Sequence, residues 1–224
     1  RFGQEAEPGH ARRPHDRAAR RGRGVPVAAA GVAPVGGYGK KLTDFKQDHP
    51  DGVILSMDQM SLYFQATTTR VWARRGQTPL VRVATQRDHV HFYGALNLCS
   101  GQESALTLPK QSGEMTCHFL DHLQAVYPGR ALFILWDRAK WHKSVVVRDY
   151  LSRHPHMHTL HFPPGSPQLN PQEHVWKLTR DAVCHNHTRK AFPALVQAFH
   201  RHLDTTDFKL KWIEQYVPAI LLAT

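Results

Sequence analysis

Residues 131–137, ALFILWD, constrain the fold more than any other stretch of this chain. Six apolar residues in a row are too few for an ordinary helix and lack the alternation of a strand with one wet face. A run of this kind forms a strand buried on both faces, and such a strand requires helices above and below its sheet. Just before it, CHFLDHLQAVY (117–127) spaces Phe119, Leu120, Leu123, Val126 and Tyr127 at helical intervals, and Pro128-Gly129 stops it. A helix that feeds a doubly buried strand is half of a crossover unit, so the chain reads as α/β.

The rest of the pattern extends that frame. GVILSMDQMSLYF (52–64), TTTRVWARR (67–75) and VHFYGALNLC (90–99) read as three strands, with GQTP (76–79) as a turn and Ser100-Gly101 as a stop. VVVRDYLSRH (145–154) reads as a helix, and MHTLHF (157–162) as a fifth strand that ends at Pro163-Pro164. Asn170-Pro171 opens another helix, with Asn at the N-cap and Pro at the first helical position, and Val175, Leu178 and Ala182 as its expected apolar stripe. AFPALVQAFHRHL (191–203) and FKLKWIEQYVPAILLA (208–223) read as C-terminal helices, the second interrupted near Pro218. This order predicts a five-stranded mixed sheet with flanking helices. Its first three strands form an antiparallel meander, and its last two are reached by helical crossovers.

Composition divides the chain in two. Residues 43–224 have the length and apolar content for one domain with a core, whereas residues 1–42 are Arg, Gly, Ala, Pro and His with Phe2 and Tyr38 the only aromatics. The latter cannot bury enough apolar surface to offset their ordering entropy, so a disordered basic arm is expected. That composition also resembles GC-rich DNA read in a wrong frame, in which case RRPHDRAARRGRG (12–24) is an accident of translation. The formal net charge of +11 points to a polyanionic partner, nucleic acid first. Residues 1–41 supply +6 of it, with nine Lys and Arg against three acids. Cys99, Cys117 and Cys184 form no CxxC pair, which favours a reducing compartment. No apolar run approaches the roughly 18 residues of a membrane span, and no secretory signal is evident. A cytoplasmic protein is expected.

Three carboxylates stand out on this frame. Asp58 lies inside an otherwise apolar strand, where a charge is costly unless paired or bound to a metal, although an aspartate capping a turn at an exposed strand end is the plainer alternative. Asp137 closes ALFILW at the carboxyl end of a central strand, where open α/β sheets place their ligands; it equally suits the first residue of a loop. Glu173 falls in the first turn of its helix, and Asn170-x-x-Glu173 is also the spacing of a capping box. The box accounts for those residues but not for the rigid FPPGSP approach or for Trp176. Two aspartates on strands and a glutamate at a helix start match the needs of a two-metal phosphodiester site. Magnesium prefers hard oxygen ligands and few carboxylates, and two such ions about 4 Å apart assist both the attacking and the leaving oxygen.

SMDQMSLYF, WARRGQTP, ILWDRAKWHKS and above all FPPGSPQLNPQEHVWK resemble the catalytic domain of DDE-type transposases of the mariner superfamily, in the bacterial insertion-sequence branch. The resemblance covers about residues 50–180, with 35 residues between Asp137 and Glu173. It implies a ribonuclease H-like fold and an Asp58–Asp137–Glu173 triad that holds two Mg²⁺ ions, with Mn²⁺ as a substitute. It also implies cleavage of DNA at transposon ends, strand transfer by the freed 3′ hydroxyl into a target, and a homodimer when active. The position after the first aspartate is commonly acidic in the family but is Gln59 here, and the position after the second is commonly Asn but is Arg138. The helix-turn-helix region that normally precedes the domain has no counterpart in the arm, so a truncated or frameshifted copy is expected. A catalytically inactive DNA-binding remnant and another ribonuclease H-like nuclease are the competing readings.

Arg138, Lys140, His142, Lys143, Lys177 and Arg180 are the candidate DNA contacts, positioning phosphates without reading sequence. Lys177 lies four residues after Glu173 and equally suits an intrahelical ion pair. His142 resembles the family's recurring His and equally suits a surface or helix-capping role. His154, His156, His158, His161, Cys184, His185 and His187 lack finger-type ligand spacing, so structural zinc is not expected. Trp72, Trp136, Trp141 and Trp176 are read as packing residues.

Overall fold

A computed structural model of the chain describes residues 38–65, 74–76, 87–166 and 169–209. Five helices and five strands occur among them, in the order α1 (Tyr38–Asp48), β1 (Val53–Tyr63), β2 (His89–Asn97), β3 (Glu103–Leu108), α2 (Gly113–Val126), β4 (Leu132–Trp136), α3 (Val145–Ser152), β5 (Met157–His161), α4 (Pro171–Val183) and α5 (Phe192–Thr205). The strands form one sheet in the order β3-β2-β1-β4-β5. β2 runs antiparallel to both of its neighbours, β1 and β3, whereas β4 and β5 run parallel to β1. None of the described helices is long and apolar enough to cross a membrane.

The central run behaves as its sequence requires. All five residues of β4, LFILW, are buried. Alternate residues of β4 serve separate cores, with Phe133 and Leu135 packing on one side and Leu132, Ile134 and Trp136 on the other. The first side is covered by Leu42 and Phe45 of α1, Val175 and Trp176 of α4, and Leu195, Phe199 and Leu203 of α5. The second is covered by Phe119, Leu120 and Leu123 of α2 and by Val147 and Tyr150 of α3. Hydrophobic burial on two faces is what makes an unpolarised strand stable here.

An antiparallel meander of β1, β2 and β3 is present, and β1 and β2 fall on the expected stretches 52–64 and 90–99. β3 falls on ESALTL, which the sequence reading left unassigned. Three of its six residues are polar, and it lies at the sheet edge with β2 as its one strand partner, so its pattern carries little apolar signal. The strand expected at 67–75 lies outside the described residues apart from 74–75, and the helix expected at 208–223 lies outside them from 210 onward. The expected arm is also too long at its C-terminal end: α1 starts at Tyr38, and Leu42 is buried in the core. Leu42 and Phe45 are spaced to share one helical face, a signal lost when residues 1–42 are averaged together.

Two helix faces also differ from the expected ones. α2 begins at Gly113, capped by the Ser112 side chain accepting from the Met115 amide, and so buries Thr116 together with Phe119, Leu120 and Leu123 while Val126 is exposed. On α4 the buried face is Gln172, Val175, Trp176, Thr179 and Val183, whereas Leu178 is 42% exposed. A hydrophobic-only reading rotates this helix because its contact face includes Gln172 and Thr179.

Ile134 is fully buried in the core formed with α2 and α3. Replacing it in Ile134→Ala is expected to cost about 3 kcal/mol of unfolding free energy, measured by chemical denaturation with an unchanged slope.

Candidate active site

Asp58 and Asp137 meet because their strands are parallel neighbours. Ser56 pairs with Leu135, and continuing that register by two residues sets Asp58 opposite Asp137. Ile54 and Met60 of β1, and Phe133 and Leu135 of β4, all face the side covered by α4 and α5. Period-two alternation therefore brings both aspartates out on that side.

Glu173 arrives on α4, whose first turn is fastened to the sheet. Asn170 takes an extended N-cap conformation, and its Oδ1 accepts both the Gln172 amide at 3.1 Å and the buried Ser56 hydroxyl at 3.0 Å. Ser56 precedes Asp58 by two residues on the same face of β1. The Gln172 side chain, fully buried, accepts the main-chain N–H of Leu96 in β2 through Oε1 and donates through Nε2 to Glu103 of β3 at 2.6 Å. No capping box closes: the Glu173 side chain is exposed and makes no hydrogen bond to the Asn170 N–H. Its carboxylate is thus left facing a cleft.

That cleft encloses about 400 Å³ and is lined by Asp58, Asp137, Arg138, Phe162 to Ser166, Asn170 and Glu173, among others. The FPPGSP turn forms its rim. All three carboxylates line it together. Among the described residues, however, no three His, Cys, Asp or Glu side chains are gathered closely enough to hold a metal ion as they stand.

The charges feel each other. Burial pushes the Asp58 carboxyl up to about 7; a main-chain hydrogen bond at Gln59 opposes this, while Glu173 and Asp137 raise it further. The Trp176 indole N–H, which meets no acceptor at good hydrogen-bonding geometry, still lies near enough to hold Asp58 down slightly. Asp137 goes the other way. Burial raises its carboxyl, but hydrogen bonds from His142 and the Ala139 amide outweigh that and leave it below the usual carboxylate value. Glu103, enclosed beneath the site with Oε2 unpartnered, is driven well above its ordinary value by burial, with Gln172 opposing and Asp58 reinforcing. Gly94 makes room for this: a Cβ there would run into Glu103, Trp176 and Gln172.

Of the candidate DNA contacts, Arg138 lines the cleft and donates through Nε to the Phe162 carbonyl at 3.0 Å. Lys140, Lys143, Lys177 and Arg180 are exposed but lie outside the cleft lining. Lys177 pairs with Asp181 at 2.7 Å and not with Glu173. His142 differs from the other candidates in its burial. It is 3% exposed, stacked on Trp136 at 4.5 Å between ring centroids, and so is withdrawn from any phosphate. The histidines after residue 153 serve packing and polar contacts, such as His154 stacked on Tyr150 and His156 bonded to Gln124. Ser56, Glu103 and Gln172 were not singled out in the sequence. The adjacency of Gln172 to Glu173 and its spacing from Trp176 and Thr179 were available signals for one of them, and Glu103 offered none.

The model of the DDE superfamily endonuclease family matches residues 53–196. The chain belongs to this family. An uncharacterized protein of Sinorhizobium fredii, y4pE/y4sA, is 32% identical to this chain over 108 residues, which is 47% of this chain and 76% of the relative. Among solved structures, a Mos1 transposase paired-end complex with left transposon end aligns with a TM-score of 0.59 at 16% identity, covering 82% of this chain and 56% of Mos1. The catalytic domain of Mos1 mariner transposase aligns at 0.53 with 12% identity, covering 82% and 87%. Mos1 paired-end complexes with Mg and with Mn are similar too. The chain thus spans just over half the length of the whole transposase chain, and its fold is ribonuclease H-like.

Two outcomes are expected. Asn170→Ala, which removes the acceptor shared by α4 and β1, lowers stability by about 1–2 kcal/mol in denaturant titration. For Asp58, the folded value near 7 lies above the unfolded 3.8, so its contribution to stability is whole below about pH 4 and is lost as pH rises towards 7. In metal-free buffer, the melting temperature of Asp58→Asn relative to the native chain should therefore rise between pH 5 and pH 8.

Proposed function

We propose that this chain is the catalytic domain of a transposase, cutting and joining DNA with Asp58, Asp137 and Glu173. The observation that carries this reading is that the three carboxylates line one cleft, where Glu173 and Asp137 add to the burial that pushes Asp58 up to about 7. A buried acid under that repulsion is a site short of positive charge.

The donor set fits magnesium or manganese. Asp58 and Asp137 offer hard oxygen ligands from neighbouring strands, and Glu173 offers a third from the opposing helix. The carboxylates are not gathered into a ready set among the described residues, so a bound ion would have to draw them together. When bound, two divalent ions supply charge stabilisation to both the attacking and the leaving oxygen of a phosphodiester. The remaining work belongs to the protein. Asn170 and Gln172 hold α4 so that Glu173 stays opposite the aspartates. Arg138, braced against the Phe162 carbonyl, meets a scissile or flanking phosphate. The FPPGSP rim limits how DNA enters. In the cleavage step the oxygen of water bonds to phosphorus and the bond to the 3′ oxygen breaks, leaving a 3′ hydroxyl. In the joining step that hydroxyl attacks a target phosphodiester and displaces its 3′ oxygen.

The partners in this reading are transposon-end and target DNA, held by a homodimer, in the cytoplasm of a bacterium at the nucleoid. The excess of positive charge suits that partner. Arg138 in the cleft lining favours a second reading, an inactive DNA-binding remnant in which the guanidinium takes the place of a cation.

Supercoiled-plasmid nicking in Mg²⁺ or Mn²⁺ separates the two. Activity in the native chain that falls on the order of 10³-fold or more in Asp137→Ala and in Glu173→Gln supports the transposase reading. Nicking that persists in both variants overturns it, and a native chain that binds DNA without nicking it establishes the remnant.

A further inference from the structure

Behind the cleft, on the opposite face of β1, runs a chain of hydrogen bonds that the triad does not account for. It starts at Trp141, whose indole Nε1–H donates to Gln59 Oε1 at 3.0 Å. Gln59 Nε2 stands 3.0 Å from His142 Nε2. His142 Nδ1 stands 2.9 Å from Asp137 Oδ1 and 3.3 Å from the Asp137 carbonyl.

The direction of every bond follows from the partners. An indole nitrogen can only donate, so the Gln59 atom facing Trp141 is the oxygen and the atom facing His142 is the NH₂ group. An NH₂ group can only donate, so His142 Nε2 is the bare nitrogen. At its other end the ring faces two oxygens of Asp137, so Nδ1 carries the hydrogen. Both ends of the ring give the same tautomer independently. The ring has little freedom to depart from it, since the side chain is wholly buried and lies nearly parallel to Trp136, at 10°.

The consequence falls on Asp137. Its Oδ1 accepts from His142 and from the Ala139 amide at 3.0 Å, while Oδ2 takes no hydrogen bond from any described residue. The side chain is half exposed and lines the cleft. One oxygen is therefore tied down and the other is presented. Gln59 and Asp58 are consecutive, so β1 gives one residue to each face: Asp58 into the cleft, and Gln59 to the support of its neighbour carboxylate.

We propose that Gln59, acting through His142, is a positioning residue that fixes the orientation of Asp137 and so sets the affinity of the cleft for a divalent cation. This rests on the reading of Asp137 as a cation ligand, and it assigns a task to the glutamine that departs from the expected acid. Supporting residues of this kind typically alter metal affinity by about 10- to 100-fold.

The test has two readouts. Nitrogen-detected NMR of histidine-labelled native protein, without metal, should show His142 protonated at Nδ1 and bare at Nε2; an Nε2–H tautomer overturns the proposal. Mn²⁺ binding, followed by the EPR signal of the free ion, should weaken about 10-fold or more in Gln59→Leu, with the His142 Nε2 resonance displaced. His142→Asn, which keeps an amide N–H to offer Asp137, should retain more affinity than His142→Phe. Circular dichroism identifies any variant that has simply lost its fold, and the His142 pair then decides. Unchanged Mn²⁺ affinity in a folded Gln59→Leu, or equal losses in His142→Asn and His142→Phe, overturns the positioning role. A native chain that shows the expected ring but binds no Mn²⁺ overturns the metal reading of the cleft, and the role falls with it while the bonding pattern stands.

Discussion

One oxygen atom holds the site together. Asn170 Oδ1 accepts the first free amide of α4 and the hydroxyl of Ser56 at once, and it joins the helix that carries Glu173 to the strand that carries Asp58. Side chains brought from opposite layers of an α/β sandwich need such a fastening, because hydrophobic contact alone allows a helix to slide or turn on its sheet. Here the polar fastening is buried, and so is its neighbour Gln172, which reaches β2 and β3 in the same turn. Three strands thus take part in aiming one helix.

That arrangement gathers negative charge in a place that does not favour it. Asp58, Asp137 and Glu173 share a cleft, and Glu103 lies enclosed behind them. The protein divides the load unequally. Asp137 is stabilised as an anion by His142 and a main-chain amide, while Asp58 is left with burial and two like charges against it. Such asymmetry limits the repulsion among the acids, because Asp58 can hold a proton where Asp137 remains charged. Under the proposed function, a cation that binds at this cleft would displace a proton from Asp58.

Much of this was legible in the sequence, and where it was not, the reason is physical. The apolar run before Asp137 fixed a doubly buried strand, and with it the layered architecture. Asn170-Pro171 fixed the start of α4, because both residues have conformational preferences that few other positions satisfy. Three carboxylates in apolar or capped settings pointed to the cleft. The edge strand β3 escaped notice because an edge needs little apolar surface and its residues Glu103, Ser104 and Thr107 read as loop. The true contact face of α4 was hidden for a related reason: Gln172 and Thr179 are polar, and their burial depends on partners far away in the chain. The burial of His142 was hidden because Gln59, its partner, lies 83 residues away and only the folded sheet brings it near.

The bond between the Leu96 amide and Gln172 has a consequence for how the molecule opens. A backbone proton belonging to the interior of a sheet is there shielded by a helix side chain, so its exchange with solvent keeps time with the helix. Any fluctuation that lifts α4 exposes Leu96 while adjoining strand amides stay protected, which gives the loosening of Glu173 from its aspartates a native, label-free reporter.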